Sequence, residues 1–240
     1  MHPTVENRTL TYPSPLTRVH IRTPQGDMAA ILPRNELFRV DRIFNRHEYG
    51  VPHIFLPLQP LVAVDIGANV GLFALYLKSL RPDCSIHCFE PAPHTFELLK
   101  INVHPLTDIH IHPLGLGDKS AIVSMALHPM NTGENSIKLA PSHPSNRTDV
   151  TIVAAKEAFT RIGLTYIDIL KIDTEGCEVE ILHNLQPWLG YVGLILVEYH
   201  NEQDRRAIDR ILSDFNLFGA DITTTEIGTL KYINRRLLCP

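Results

Sequence analysis

From residue 61 onward the chain alternates short apolar runs with segments whose apolar residues recur at helical spacing. Leu61 to Ile66, Ser85 to Phe89, Ile109 to Leu114, Asp168 to Ile172 and Gly193 to Val197 read as strands, mostly of the kind buried on both faces. Val70 to Leu80 predicts a buried helix, apolar nearly all round. Pro93 to Asn102 predicts a helix with proline in its first turn, and Ala154 to Ile162 one closed by Gly163. Glu178 to Leu185 predicts a further helix. Ala207, Ile208, Ile211, Leu212 and Phe215 fall on one face of another, opposite Arg205, Arg206, Asp209 and Arg210. Asp221 to Thr225 and Thr229 to Asn234, flanking Glu226-Ile227-Gly228, predict a closing hairpin, whereas Ala121 to Val150 reads as irregular. This order predicts an α/β fold with a mostly parallel sheet and one antiparallel strand.

Residues 1–60 differ. Val19 and Ile21, then Met28, Ala30 and Leu32, alternate with polar positions around Pro24-Gln25-Gly26-Asp27, a hairpin signal. Leu37 to Tyr49 predicts a short helix carrying Phe38, Ile43 and Phe44. The proline-rich region reads as a small N-terminal cap or lid on a main domain covering residues 61–240.

Four of the apolar runs end in acidic residues. They are Val64-Asp65-Ile66-Gly67-Ala68-Asn69-Val70-Gly71, His87-Cys88-Phe89-Glu90-Pro91, Leu170-Lys171-Ile172-Asp173-Thr174-Glu175-Gly176 and Leu196-Val197-Glu198-Tyr199-His200. Polar groups gathered at the carboxyl ends of parallel strands mark the ligand edge of an open α/β sheet. The first segment sits at a strand-to-helix turn, where glycines let a ligand approach the backbone. Its Gly67 and Gly71 do not make the GxGxxG of nicotinamide sites, and Asp65 suits a ligand bearing an amino group. A plain tight turn is the other reading. Glu90, one strand later, is placed to accept both hydroxyls of a ribose, or else to assist the start of the next helix.

Composition narrows the classes. With 240 residues and 44% hydrophobic content the chain can build one large domain, or one domain and a cap. A net charge of -4 without a basic block disfavours nucleic acid as partner. The first residues lack a basic region followed by an apolar core, no apolar run reaches the length of a membrane span, and no cysteine pair has CxxC spacing. A cytoplasmic protein with free thiols is expected. His110 and His112 share a strand face without a third ligand at metal spacing, and Cys177 reads as a small packing residue.

The four segments together resemble the FkbM-type S-adenosylmethionine-dependent methyltransferases, over roughly Leu61 to Asn234, with Asp173-x-Glu175-Gly176 the most specific part. The resemblance implies a Rossmann-like class I methyltransferase fold with a seven-stranded sheet, S-adenosylmethionine as cofactor, and O-methylation of a hydroxyl on a sugar or polyketide-like small molecule. It implies that Asp65, Gly67, Asn69 and Gly71, with Ala68, line the methionine end of the cofactor. Glu90 and Pro91 would stand at the ribose, Gly117 and Asp118 near the adenine, and Asp173 and Glu175 beside the cofactor. One departure is Ala155-Lys156 where the family commonly has Leu-Asp, a change that would alter a salt bridge or the substrate wall.

An alcohol is a poor nucleophile at neutral pH, so a base is expected on the cofactor side of the sheet. His200 has the reference pKa best suited to that role, with Asp173 or Glu198 to orient it. No resident metal is expected. A divalent ion shared by Asp173 and Glu198 is the alternative, lacking an evident third ligand. Methylation of nitrogen or a carboxyl, a nicotinamide dehydrogenase and a non-catalytic nucleoside-binding module are the rival functions.

Overall fold

The computed structural model describes residues 14–52, 55–57, 59–128, 131–138 and 146–238; Cys239 and residues 1–13 of the expected cap lie outside them. The hairpin forms from β1 (Leu16–Thr23) and β2 (Gly26–Pro33), with Gly26 at φ 115° in its turn. A single helical turn, α1 (Phe38–Val40), runs into a π-helical turn over Asp41–Asn45. Then follow β3 (Val62–Ile66), α2 (Leu72–Leu80), β4 (Ser85–Phe89), α3 (Pro93–Val103), β5 (Ile109–His112), β6 (Gly115–Gly117), β7 (Ala121–Leu127) and β8 (Asn146–Ala154). The chain continues through α4 (Ala155–Arg161), β9 (Ile167–Ile172), α5 (Glu178–Asn184), β10 (Val192–Tyr199), α6 (Glu202–Ile211), β11 (Phe215–Ile222) and β12 (Gly228–Asn234).

Seven strands form one sheet in the order β11-β12-β10-β9-β3-β4-β5, with β12 antiparallel to both its neighbours and β10, β9, β3, β4 and β5 parallel to one another. The element order predicts the mostly parallel sheet with an antiparallel strand, and the seven strands match the class I methyltransferase fold that the resemblance implies. Two corrections concern the periphery. The stretch read as irregular contains β7 and β8, which join β6 in a separate three-stranded sheet. Its strands alternate exposed and half-buried residues over a small core, so no continuous apolar run announced them. Phe215 opens β11 and does not close the preceding helix, because β11 begins six residues earlier than the Asp221 start read from sequence.

Both sheet faces are buried. Ala63, Ile169, Leu194 and Leu196 face α2 and α3, whereas Val64, Ile66, Leu170, Ile172, Ile195 and Val197 face α4, α5 and α6. The hairpin shares the first of these cores through Ile21, Ala30 and Leu32. Burying a side chain such as Leu32 contributes about 1.5–3 kcal/mol. Asn102 of α3 fastens it further. Its Oδ1 accepts from the Ile31 N–H at 2.7 Å, and its Nδ2 donates to the Ile31 and Val70 carbonyls at 2.9 and 2.8 Å.

Candidate active site

The turn after β3 is built for close approach. Gly67 has φ 80°, and a Cβ there would stand 1.7 Å from the Asp173 carbonyl oxygen, so no side chain fits. Asn69 also takes a left-handed conformation, φ 49°, which asparagine tolerates better than most residues. Its N–H donates to Glu90 Oε2 at 2.9 Å, while Glu90 Oε1 accepts from the Ala92 N–H at 2.9 Å. Burial pushes the Glu90 pKa up to about 7, against these two backbone donors.

Strand register sets the charges beneath. Asp65 is opposite Lys171, and Val197 opposite Ile172, so Asp65, Lys171, Asp173 and Glu198 share the face that carries Ala63, Ile169 and Leu196. Lys171 Nζ lies 3.0 Å from Asp65 Oδ1, 3.1 Å from the Gly67 carbonyl and 3.5 Å from Asp173 Oδ2. Burial would discharge this lysine, but the carboxylates of Asp65 and Asp173 hold it charged. In return Lys171 keeps the Asp173 carboxyl well below the usual carboxylate range despite burial. Tyr49, from the segment after α1, donates to Asp173 Oδ2 at 3.0 Å.

The loop after β9 is held by the first residue of α5. Glu178 Oε1 accepts from the Thr174 N–H and hydroxyl at 2.7 and 2.9 Å, and Oε2 from the Gly176 N–H at 3.0 Å. Glu175 is thereby fixed at φ 57°. Its carboxylate reaches His200 Nε2 at 3.0 Å; Glu198 Oε2 lies 3.4 Å from the same nitrogen and Glu178 Oε2 3.7 Å from Nδ1. Burial alone would lower the His200 pKa, but the three carboxylates outweigh it and raise it far above 6.5. The general-base role expected of His200 would thus require the ring to lose a proton first. Burial and the neighbouring Asp173 charge raise the Glu198 pKa in turn.

Two cavities meet at this edge. The larger, about 630 Å³ of space that includes solvent at its open mouth, is lined by Glu90, Pro91, Leu116, Thr132 and Glu175 among others. The smaller is lined by Arg42, Tyr49, Ala68, Phe73, Lys171 and Glu198 among others. Gly67, Asn69, Asp173 and Arg39 border both. A clasp covers the larger one. Buried Glu36 accepts from the Thr132 N–H and hydroxyl at 2.7 and 2.8 Å, and Arg39 donates to Asn131 Oδ1 at 2.9 Å. Gly133 makes room for this arginine, since a Cβ there would stand 1.9 Å from its Nη2.

Of the residues expected from sequence, Gly67, Ala68, Asn69, Glu90, Pro91, Asp173, Glu175 and Glu198 border one or both cavities, whereas Asp65, Gly71, Gly117 and Asp118 do not. Asp65 borders neither cavity, because it is wholly buried under the turn against Lys171. Gly71 starts α2 at φ 88°, and a Cβ there would press on Leu99, so its role is helix packing. Gly117 and Asp118 do not border the larger cavity, whereas Gly115 and Leu116 do. Lys156, too, borders neither cavity; it is exposed, and its N–H donates to Asn184, so the substrate wall does not include it. Cys177 lines the larger cavity with its thiol pushed up to about 12 by burial, which leaves it unreactive. His110 and His112 stack with His87 and Phe89 on the sheet face. Sequence reasoning passed over Lys171, Tyr49, Glu36, Arg39 and Thr132. A lysine inside the apolar run Ile169-Leu170-Lys171-Ile172 was a usable signal, because a buried ammonium requires a carboxylate partner. Tyr49, Glu36, Arg39 and Thr132 reach their partners at the site through contacts between residues far apart in sequence, beside the local pair of Glu36 and Arg39.

Residues 65–220 match the family described as methyltransferase FkbM domain. "Methyltransferase 1" of Beauveria bassiana is 30% identical over 51% of this chain and 57% of its own length, so the chain spans just over half of that protein. "31-O-demethyl-FK506 methyltransferase FkbM" of Streptomyces tacrolimicus is 26% identical over 74% of this chain and 75% of its own. Among solved structures, the Methanococcus jannaschii fibrillarin pre-rRNA processing protein superposes with a TM-score of 0.51 at 10% identity, over 90% of this chain and 82% of its own, a likeness of fold alone.

Proposed function

The chain belongs to the FkbM methyltransferase domain family, and on that premise we propose that it moves the methyl group of S-adenosylmethionine to a hydroxyl of a sugar or polyketide-like small molecule. Membership sets aside the dehydrogenase and the non-catalytic module. The observation that carries the finer reading is the shared border of the two cavities. Glu90, beside the Gly67–Asn69 turn, lies in one, Glu198 and Tyr49 in the other, and Asp173 in both. A sulfonium cofactor in the larger cavity, its ribose hydroxyls donating to Glu90, would present its methyl group toward the smaller. The family relative acting on a 31-O-demethyl compound favours oxygen over nitrogen or carboxyl as acceptor.

Transfer is an in-line displacement. The acceptor oxygen bonds to the methyl carbon, the carbon–sulfur bond breaks with its electrons going to sulfur, and the hydroxyl proton is released. Holding the two reactants in line is the main service the enzyme provides. Asp173, kept ionised by Lys171 and fixed by Tyr49, would accept the hydrogen bond of the acceptor hydroxyl and aim its lone pair at the methyl group. Arg39 and the Glu36–Thr132 clasp would keep water out of the larger cavity.

Calorimetry with S-adenosylhomocysteine tests the cofactor, with a dissociation constant in the micromolar range expected of a metabolite site. Transfer of labelled methyl to a panel of hydroxylated, amino and carboxylated acceptors tests the reaction. Absence of heat with S-adenosylhomocysteine, or label on nitrogen or carboxyl acceptors alone, would overturn the corresponding half.

A further inference from the structure

The ends of β9 and β10 each deliver two metal-capable side chains two residues apart, Asp173 and Glu175 from one, Glu198 and His200 from the other. One ligand atom from each lies within 4.8 Å of every other. We propose that these four side chains bind one divalent cation at the junction of the two cavities.

Three observations support it. The donor set is mixed, three carboxylates with an imidazole, which is the chemistry of first-row divalent sites and not of a solvated acidic patch. Lys171 is shared between Asp65, the Gly67 carbonyl and Asp173, and Arg39 is held by Glu36 and Asn131, so among the described residues no lysine or arginine forms an ion pair with Glu175 or Glu198. The third is independent of the acids. The His200 side chain is 7% exposed, and its buried Nδ1 has no hydrogen-bond partner, yet Glu178 Oε2 stands 3.7 Å away. A metal-bound histidine donates its second ring N–H to a carboxylate in this way. Coordination through Nε2 displaces the proton that this nitrogen shares with Glu175 and Glu198, and a small ring movement completes the Nδ1–H to Glu178 bond.

The cation's role rests on the methyltransferase reading above; its binding does not. Between the cavities it would take the acceptor oxygen as a further ligand and make the hydroxyl more acidic. The proton leaves to solvent, the oxygen pair attacks the methyl carbon, and sulfur departs with the carbon–sulfur electrons.

The test uses chelator-treated full-length protein titrated with Mn²⁺, followed by electron paramagnetic resonance and calorimetry without cofactor. One equivalent of Mn²⁺ is expected to bind, with affinity at least tenfold lower in Glu198→Gln and in His200→Ala. Because either substitution could disturb folding, each variant's S-adenosylhomocysteine affinity serves as the check, and Glu90→Gln should keep parental Mn²⁺ affinity. No stoichiometric Mn²⁺ in the parent, or parental affinity in both folded variants, overturns the proposal. A chain that binds S-adenosylhomocysteine but no Mn²⁺ refutes the cation alone. One that binds Mn²⁺ but no S-adenosylhomocysteine upholds the cation and refutes the cofactor assignment.

Discussion

The Tyr49 hydroxyl donates a 3.0 Å hydrogen bond to Asp173 Oδ2, joining the segment after α1 to the carboxyl end of β9. Tyr49 also lies under Lys171, whose ammonium is 5.2 Å from its ring centroid. Removing the hydroxyl frees the Asp173 carboxylate to rotate. Tyr49→Phe is expected to cost about 1 kcal/mol of stability. Turnover should fall by roughly tenfold, the equivalent of a ~1.4 kcal/mol rise in barrier, with S-adenosylhomocysteine affinity unchanged. Steady-state kinetics beside calorimetry will separate the two, and parental turnover would mean that Asp173 does not need this tether.

Lys171 and Asp65 are a buried pair whose two halves cannot be removed singly without cost. Lys171→Met strands the Asp65 carboxylate, already short of a partner at Oδ2. The expected loss is about 3–5 kcal/mol in urea denaturation, the range for breaking a buried pair. Replacing both residues, as Asp65→Asn with Lys171→Met, should recover part of it. Additive losses would show that the two charges do not stabilise each other.

Glu90 gives binding a pH dependence. Its pKa, raised from 4.5 to about 7, leaves it largely protonated in mildly acidic solution. Ribose hydroxyls that donate to it favour the ionised form, so binding lowers that pKa and releases a proton. S-adenosylhomocysteine affinity should rise with pH toward about 7, by at most tenfold per unit, and level off above it. Calorimetry in two buffers of different ionisation enthalpy reads the proton directly, and Glu90→Gln should abolish the slope. Stability of the unliganded chain runs the other way. A raised pKa favours folding fully below 4.5, and that contribution is lost as pH rises through about 7.

Two glycines with positive φ should behave unequally. Alanine at Gly26 meets nothing within 4 Å, so only the backbone conformation resists it, at about 1–2 kcal/mol. Alanine at Gly67 would drive a methyl group into the Asp173 carbonyl and push the ends of β3 and β9 apart. Gly26→Ala should melt a few degrees lower with cofactor binding intact. Gly67→Ala should bind no cofactor, whether or not it folds. Equal effects would contradict the packing at that turn.

Deleting residues 1–60 tests the cap. From sequence this region reads as a lid, removable in principle. The structure puts Ile21, Ala30, Leu32, Ile43 and Tyr49 in the same core as α2 and α3, and residues 16–33 border neither the larger nor the smaller cavity. The truncated chain is therefore expected to aggregate or melt without cooperativity. A truncated chain with a sharp, parental transition would make the hairpin a dispensable attachment.

The parallel strands were legible because burial on both faces leaves nearly unbroken apolar runs, and β4 matches its sequence reading to the residue. Glu90 and Asp173 could be placed at strand ends for the same reason, and both border the larger cavity. Asp65 misled because its position in the motif does not reveal the lysine across the strand pair, which turns a ligand-facing acid into a buried partner. The surroundings of His200 were not legible, because two of its three carboxylate neighbours come from the loop and helix after β9. The clasp between Glu36 and Thr132 was invisible, as the two residues lie 96 positions apart and neither belongs to a periodic pattern.

The shared sheet face of Asp65, Lys171, Asp173 and Glu198 also bears on how the chain assembles. Side chains alternate along a strand, so a one-residue slip of β9 against β3 would turn Lys171 and Asp173 onto the face now held by Leu170 and Ile172. Two charges would then sit unpaired among the apolar residues of α4 and α5, an arrangement that costs several kcal/mol per ion. Misaligned sheets are thus penalised by the same side chains that border the two cavities. Strand alignment during folding depends on Lys171 and Asp173, so substitutions chosen to alter the cavity edge there will also lower the yield of correctly folded chains.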